Sequence, residues 1–207
     1  MTTDLQARRA KLRDDLILAA EAAIAAGGLS ALKARALAEA AGCAVGAIYN
    51  VFPDLDALIF AVNARTLEKL DGVLAATVRP GTDPETAMRR LALAYHGFSR
   101  AERRRWTAVF AHQIPDGAAP PDWYLAVVGR LFRHIEEPLA ELLPGSAPEV
   151  RAGLARTLFS ATHGIVSLGL EEKLGPAPDE VIAQALVVMT RSWVLGLPGA
   201  VGVPTRP

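Results

Sequence analysis

The stretch from Ala34 to Val51, ARALAEAAGCAVGAIYNV, leaves the chain few ways to fold. Its residues suit two short helices that cross at roughly 90–120° through a turn of three or four residues. Where the helices cross, the first can carry only a small side chain, and Ala38 stands there. The turn needs a residue that tolerates positive φ, and Gly42 follows four residues later. Around this pair the buried seam must be apolar, and Leu37, Ala41, Cys43, Ile48 and Val51 hold the seam positions. Ala44, Val45, Gly46, Ala47, Tyr49 and Asn50 are left to face outward from the second helix. A short helix with a mostly small, neutral outer face can press close to a DNA groove. An ordinary helical hairpin in a bundle is the competing reading.

The run from Ile17 to Leu58 resembles the N-terminal domain of TetR-family transcriptional regulators. The pieces that carry the likeness are Gly27-Gly28, the Ala34–Val51 pair, Tyr49-Asn50-Val51-Phe52, and Pro53-Asp54-Leu55-Asp56-Ala57-Leu58. Thr162-His163-Gly164 looks like the His-Gly motif of one C-terminal-domain subclass. The sequence departs from the family pattern in Leu32-Lys33 at the start of the second helix, in Ala44-Val45, and in Leu55. The resemblance implies a homodimer that reads a palindromic operator in double-stranded DNA and answers to a small-molecule effector. Repression released by ligand is the mode it implies, and it makes Tyr49 a phosphate contact.

Charge alone gives no support to a nucleic-acid partner. Lys+Arg and Asp+Glu both number 22, so the net charge is zero. Through Pro53 six basic residues stand against five acidic ones. Helix N-termini can still attract phosphate without side-chain charge. An apolar fraction of 51% allows a substantial core. No uninterrupted apolar run reaches the roughly 20 residues a bilayer span needs, and the N-terminus lacks a secretory pattern. A cytoplasmic protein with no membrane partner is the expectation. The single Cys43 agrees with a reducing compartment and serves as a small seam residue.

Taken in order, residues 1–8 read as a flexible arm and 9–26 as a first helix, stopped at Gly27-Gly28. Ser30 is a candidate cap for a second helix at 33–41. The recognition helix spans 45–51, and a fourth opens at Pro53-Asp54 and reaches Val78. Five more helices are expected at 84–98, 101–113, 121–143, 148–172 and 178–196. Ser99 is a candidate cap for the sixth, and Pro138 should kink or break the seventh. The eighth presents a small-residue face: Gly153, Ser160, Gly164 and Ser167. The ninth is apolar nearly all round and should be buried. The two together imply a two-fold four-helix interface. The fold class is therefore all-α, with about nine helices: a helix-turn-helix DNA-binding domain at 1–53, a ligand-binding and dimerisation domain at 54–196, and a disordered tail at 197–207.

On the DNA face the candidates are Lys33, Arg35, Ala44, Val45, Gly46, Ala47, Tyr49 and Asn50. Asn50 could pair with an adenine edge, and Ala44 or Val45 could touch a thymine methyl. In the body, Tyr95, Phe98, Trp106, Phe110, Gln113, Trp123, Phe132 and His163 are candidates to line an apolar cavity with a few polar groups. Plain core packing is the alternative for each aromatic. Arg103-Arg104-Arg105 reads as a solvated helix start. The His residues are isolated in sequence, the lone Cys has no redox partner, and neither a phosphate loop nor a nucleophile elbow is present. Neither an enzyme nor a cofactor or metal is expected. The reading is a ligand-responsive transcriptional regulator; the alternative is a helical dimeric ligand-binding or scaffold protein that has lost DNA binding.

Overall fold

A computed structural model describes residues 2–114, 119–172, 175 and 177–201 of the 207. Among the described residues the ordered elements are helical: α1 Thr2–Gly27, α2 Ala34–Ala40, α3 Val45–Val51, α4 Leu55–Thr77, α5 Pro84–Ala101, α6 Arg103–Ala111, α7 Asp122–Leu142, α8 Pro148–Glu171 and α9 Asp179–Ala200. A 3-10 turn, Leu29–Ala31, separates α1 from α2. The chain divides into two units. The first holds residues 1–68 and 102–125, the second 69–101 and 126–207. The division differs from the expected cut after residue 53. The first part of α4 packs its Leu58, Ala61 and Val62 into the N-terminal core, and Ala108 of α6 joins them.

That first core is built on one face of α1. Leu16, Ile17, Ala20 and Ile24 recur at helical spacing and meet Leu37, Ala38, Ile48 and Phe52. α1 ends where Gly28, at φ 72° and ψ −170°, turns the chain out of the helix, a conformation that glycine adopts readily; its N–H still donates to the Ile24 carbonyl at 2.8 Å. α4 opens on Asp54, whose Oδ1 accepts from the Ala57 N–H at 2.7 Å.

Three local expectations are overturned. The arm is helical from Thr2 onward, and the Asp4–Arg8 ion pair, one turn apart at 2.9 Å, lies within it. Ser30 caps nothing: its Oγ turns back to the Gly27 carbonyl at 3.4 Å, and Lys33 precedes α2 as the residue at its N-cap. Ser99 lies buried inside α5 with its Oγ on the His96 carbonyl, and Glu102 stands before α6. A fourth, the break at Pro138, does not occur either: α7 continues through it to Leu142.

In the second unit, Met88, Leu139, Leu143, Ala155, Leu158 and Leu197 form a core flanked by Phe132, Ile135, Met189 and Trp193. α9 extends through Leu197 and Pro198 to Ala200, four residues into the segment expected as a tail, because Leu197 has a place in that core. Residues 202–207 lie outside the described residues. α9 is also 22 residues long and holds an 18-residue stretch of mean hydropathy 1.4, enough by length and composition to cross a membrane, which the interrupted sequence run did not suggest. Its inner face is already packed: Ile182, Leu186, Thr190 and Leu197 are buried. Gly169 of α8 is so close to Ile182 that an added Cβ would sit 2.5 Å from its Cδ1.

Candidate nucleic-acid interface

The turn between α2 and α3 is fixed by backbone geometry. Gly42, at φ 63°, donates to the Glu39 carbonyl at 3.1 Å, and Cys43 donates to the Ala38 carbonyl at 2.9 Å. This pair of bonds is a Schellman closure with glycine at its left-handed position. Ala38 and Leu37 are buried, Ile48 is fully enclosed, and Ala41, Cys43 and Val51 pack partly against the same cluster. The seam is therefore occupied as its residue types demand. Ile48 is the one buried residue of α3.

The outward residues follow. Ala44, Val45, Gly46, Tyr49 and Asn50 are exposed, and Ala47 is half-buried. Tyr49 shows 48% of its surface, a high value for an aromatic ring. Lys33 and Arg35 are exposed at the start of α2. An added Cβ at Gly46 would meet nothing within 4 Å, so this face is open to close approach.

The same unit gives Arg104 a role that its place in an Arg-Arg-Arg run did not signal. Its guanidinium donates to the carbonyls of Ala25 and Ala26, two of the acceptors left unmatched at the end of α1. Arg105 pairs with Glu102. α6 thus clasps the end of α1. Nearby, His112 Nε2 lies 2.8 Å from Asp56 Oδ1, and Phe60 makes edge contacts with His112 and Tyr124 at 5.0 and 4.9 Å. Asn63 is buried; it reaches the Ala108 carbonyl at 3.5 Å while its Oδ1 has no partner.

The eight residues expected to line one ligand cavity fall into both units. Trp106, Phe110, Gln113 and Trp123 belong to the first, where Trp106 is buried, Trp106 and Phe110 are 5.4 Å apart, and Phe110, Gln113 and Trp123 are exposed. Tyr95, Phe98, Phe132 and His163 belong to the second. There the Tyr95 hydroxyl lies 2.8 Å from His163 Nδ1. Phe159 touches Tyr95, Phe132 and His163 at centroid distances of 5.7, 5.5 and 5.8 Å. Phe159 was not singled out from sequence, although it sits one turn before His163. The remaining histidines bridge helices as well. His134 bonds Asp71 at 2.7 Å, and His96 lies 3.7 Å from Asp179. Among the described residues no His, Cys, Asp and Glu side chains group as a metal site.

Burial lowers the pKa of both His96 and His163 below 6.5; at His96, Asp179 opposes the shift. The folded protein then binds fewer protons than the unfolded chain just below that value. Their contribution to stability is full above about pH 6.5 and is lost as the pH falls toward the folded pKa values. The melting temperature should fall between about pH 7.5 and 5.5, and His163→Gln should flatten that slope. A melting temperature independent of pH over this range would contradict the assignment.

Two family models match successive parts of the chain. A family model described as "Bacterial regulatory proteins, tetR family" matches residues 16–62, and one described as "Tetracyclin repressor-like, C-terminal domain" matches residues 88–191. The HTH-type transcriptional repressor KstR of Rhodococcus jostii is 32% identical over 136 residues. That match spans 62% of this chain and 62% of KstR, so the chain covers less than two thirds of that relative. A Rhodococcus sp. RHA1 protein of unknown function superposes with a TM-score of 0.69 at 24% identity, over 89% of this chain and 94% of that one. RolR, solved with resorcinol bound, superposes with a TM-score of 0.64 at 21% identity, over 97% and 96%.

Proposed function

The chain belongs to the TetR family of bacterial regulatory proteins, and from that premise we propose that it is a ligand-responsive, DNA-binding repressor that acts as a homodimer. The observation that carries this reading is the outer face of α3. It is small, neutral and open around an exposed Tyr49, on a helix locked to its neighbour by a glycine turn. Each protomer lays α3 in a major groove, so that two half-sites on one face of a palindromic duplex, about one helical turn apart or somewhat more, are read together. Tyr49, Lys33 and Arg35 hold phosphates. Asn50, with Ala44, Val45, Gly46 and Ala47, meets base edges.

Dimerisation is assigned to the outer faces of α8 and α9. Val181, Val188 and Leu195 recur every seven residues along α9 and are 57%, 54% and 68% exposed; Leu168 of α8 is 52% exposed. Gly153 and Gly164 leave open space on α8. An apolar stripe of this length on one chain needs a partner, and the same stripe on a second copy is self-complementary. The effector is assigned to the second unit, where Tyr95, Phe132, Phe159 and His163 combine aromatic surface with a hydrogen-bonded polar pair. An apolar or aromatic molecule fits that chemistry. It relieves repression only if it binds the DNA-free arrangement more tightly.

A reporter driven by the chain's own upstream region tests the proposal. Expression should rise when the gene is deleted and fall when it is restored; an unchanged reporter would count against a repressor.

A further inference from the structure

The first turns of α1 form an interaction surface of their own. α1 packs into the head from Leu12 onward, whereas every described side chain from Asp4 to Lys11 is exposed. At 3.6 residues per turn, Arg9 stands almost in line with Leu16, seven residues later, and about 40° from Arg13. The face that is core from Leu12 onward is therefore carried past the end of the core by Leu5, Arg9 and Arg13. Arg13 marks where that exit lies: its guanidinium sits over the ring of Phe52 at 5.4 Å, and Phe52 is the C-cap that follows α3. The exposed turns of α1 thus leave the head beside the C-terminal end of the candidate recognition helix.

Their charges sort by face. Arg8 is paired with Asp4 and Lys11 with Asp15. Arg9 and Arg13 have no acidic partner among the described residues. The cations left unneutralised are the two on the side of Phe52. We infer that Arg9, with Arg13 behind it, is a second DNA contact that grips the phosphate backbone flanking the half-site read by α3. The inference rests on the DNA-binding reading above. It adds contacts that the sparse charge of α2 and α3 does not supply. A polyanionic backbone is the partner that unpaired guanidiniums on a projecting helix fit, and such contacts add affinity without sequence preference.

The test is a salt titration of binding to a duplex from the chain's own upstream region, with a shuffled duplex beside it. Each phosphate contact contributes a slope of about −0.9 in log K against log salt, so losing one per protomer reduces the slope of a dimer by about 2. Arg9→Ala should show that reduction and weaken binding about tenfold at roughly 0.1 M salt, equally on both duplexes. Arg8→Ala, on the neutralised face, should leave the slope unchanged within about 0.5. Arg9→Lys should restore most of it. Wild-type preference for the upstream duplex with an unchanged Arg9→Ala slope overturns this inference alone. Absence of any wild-type preference overturns the DNA-binding reading and this inference with it.

Discussion

Gly46→Glu is expected to abolish specific DNA binding while leaving the fold at least as stable. Gly46 is exposed on α3 at a backbone conformation any residue can adopt, and an added Cβ meets nothing within 4 Å. Removing glycine from a helix gains about 0.5–1 kcal/mol. A carboxylate in the first turn also suits the positive end of the helix. The same carboxylate would face phosphates wherever α3 enters a groove, and a dimer would suffer it twice. Affinity for the upstream duplex should fall at least ~100-fold, with a melting temperature equal to or above that of wild type. Gly46→Ala should match the gain in stability and keep most of the affinity. Gly46→Glu binding like wild type would remove α3 from the interface.

The second large effect concerns the stripe on α9. Val188→Glu combined with Leu195→Glu should yield a monomer by sedimentation at concentrations where wild type is a dimer. Both positions are more than half exposed in the single chain, so the charges cost little there. Buried against a second copy they would be unpaired and strongly unfavourable. Loss of the dimer removes the simultaneous engagement of two half-sites, and affinity for the duplex should fall by about two orders of magnitude or more. A variant that stays dimeric moves the interface elsewhere. A wild type that is monomeric leaves the stripe to another partner.

What the sequence disclosed and what it hid divide along physical lines. Ala38 and Gly42 were legible because a crossing and a left-handed turn each admit few residue types, and both behave as read. The helix bodies were legible because their apolar residues recur with the helical period. Capping by Ser30 and Ser99 was misjudged because a hydroxyl can satisfy a nearby carbonyl as readily as a helix end. The Asp4–Arg8 spacing was present in the sequence and argued for a helix where an arm was expected. Arg104 could not have been placed, since its acceptors are main-chain carbonyls 78 and 79 residues away that no side-chain pattern announces. The aromatic candidates are divided by the fold for a similar reason. Proximity along the chain put Trp106, Phe110 and Trp123 beside Tyr95 and Phe98, and the fold assigned them to different units. Phe159 took the place among Tyr95, Phe132 and His163.

The account depends on paired copies of α3 reading one duplex. The most direct measurement is a stoichiometric titration of the wild-type protein into its own upstream duplex, followed by fluorescence anisotropy and compared with a shuffled duplex. Saturation at two protomers per site, with binding at least ~100-fold tighter than to the shuffled sequence, is the predicted result. Equal affinity for the two duplexes, or saturation by a single protomer, would contradict it.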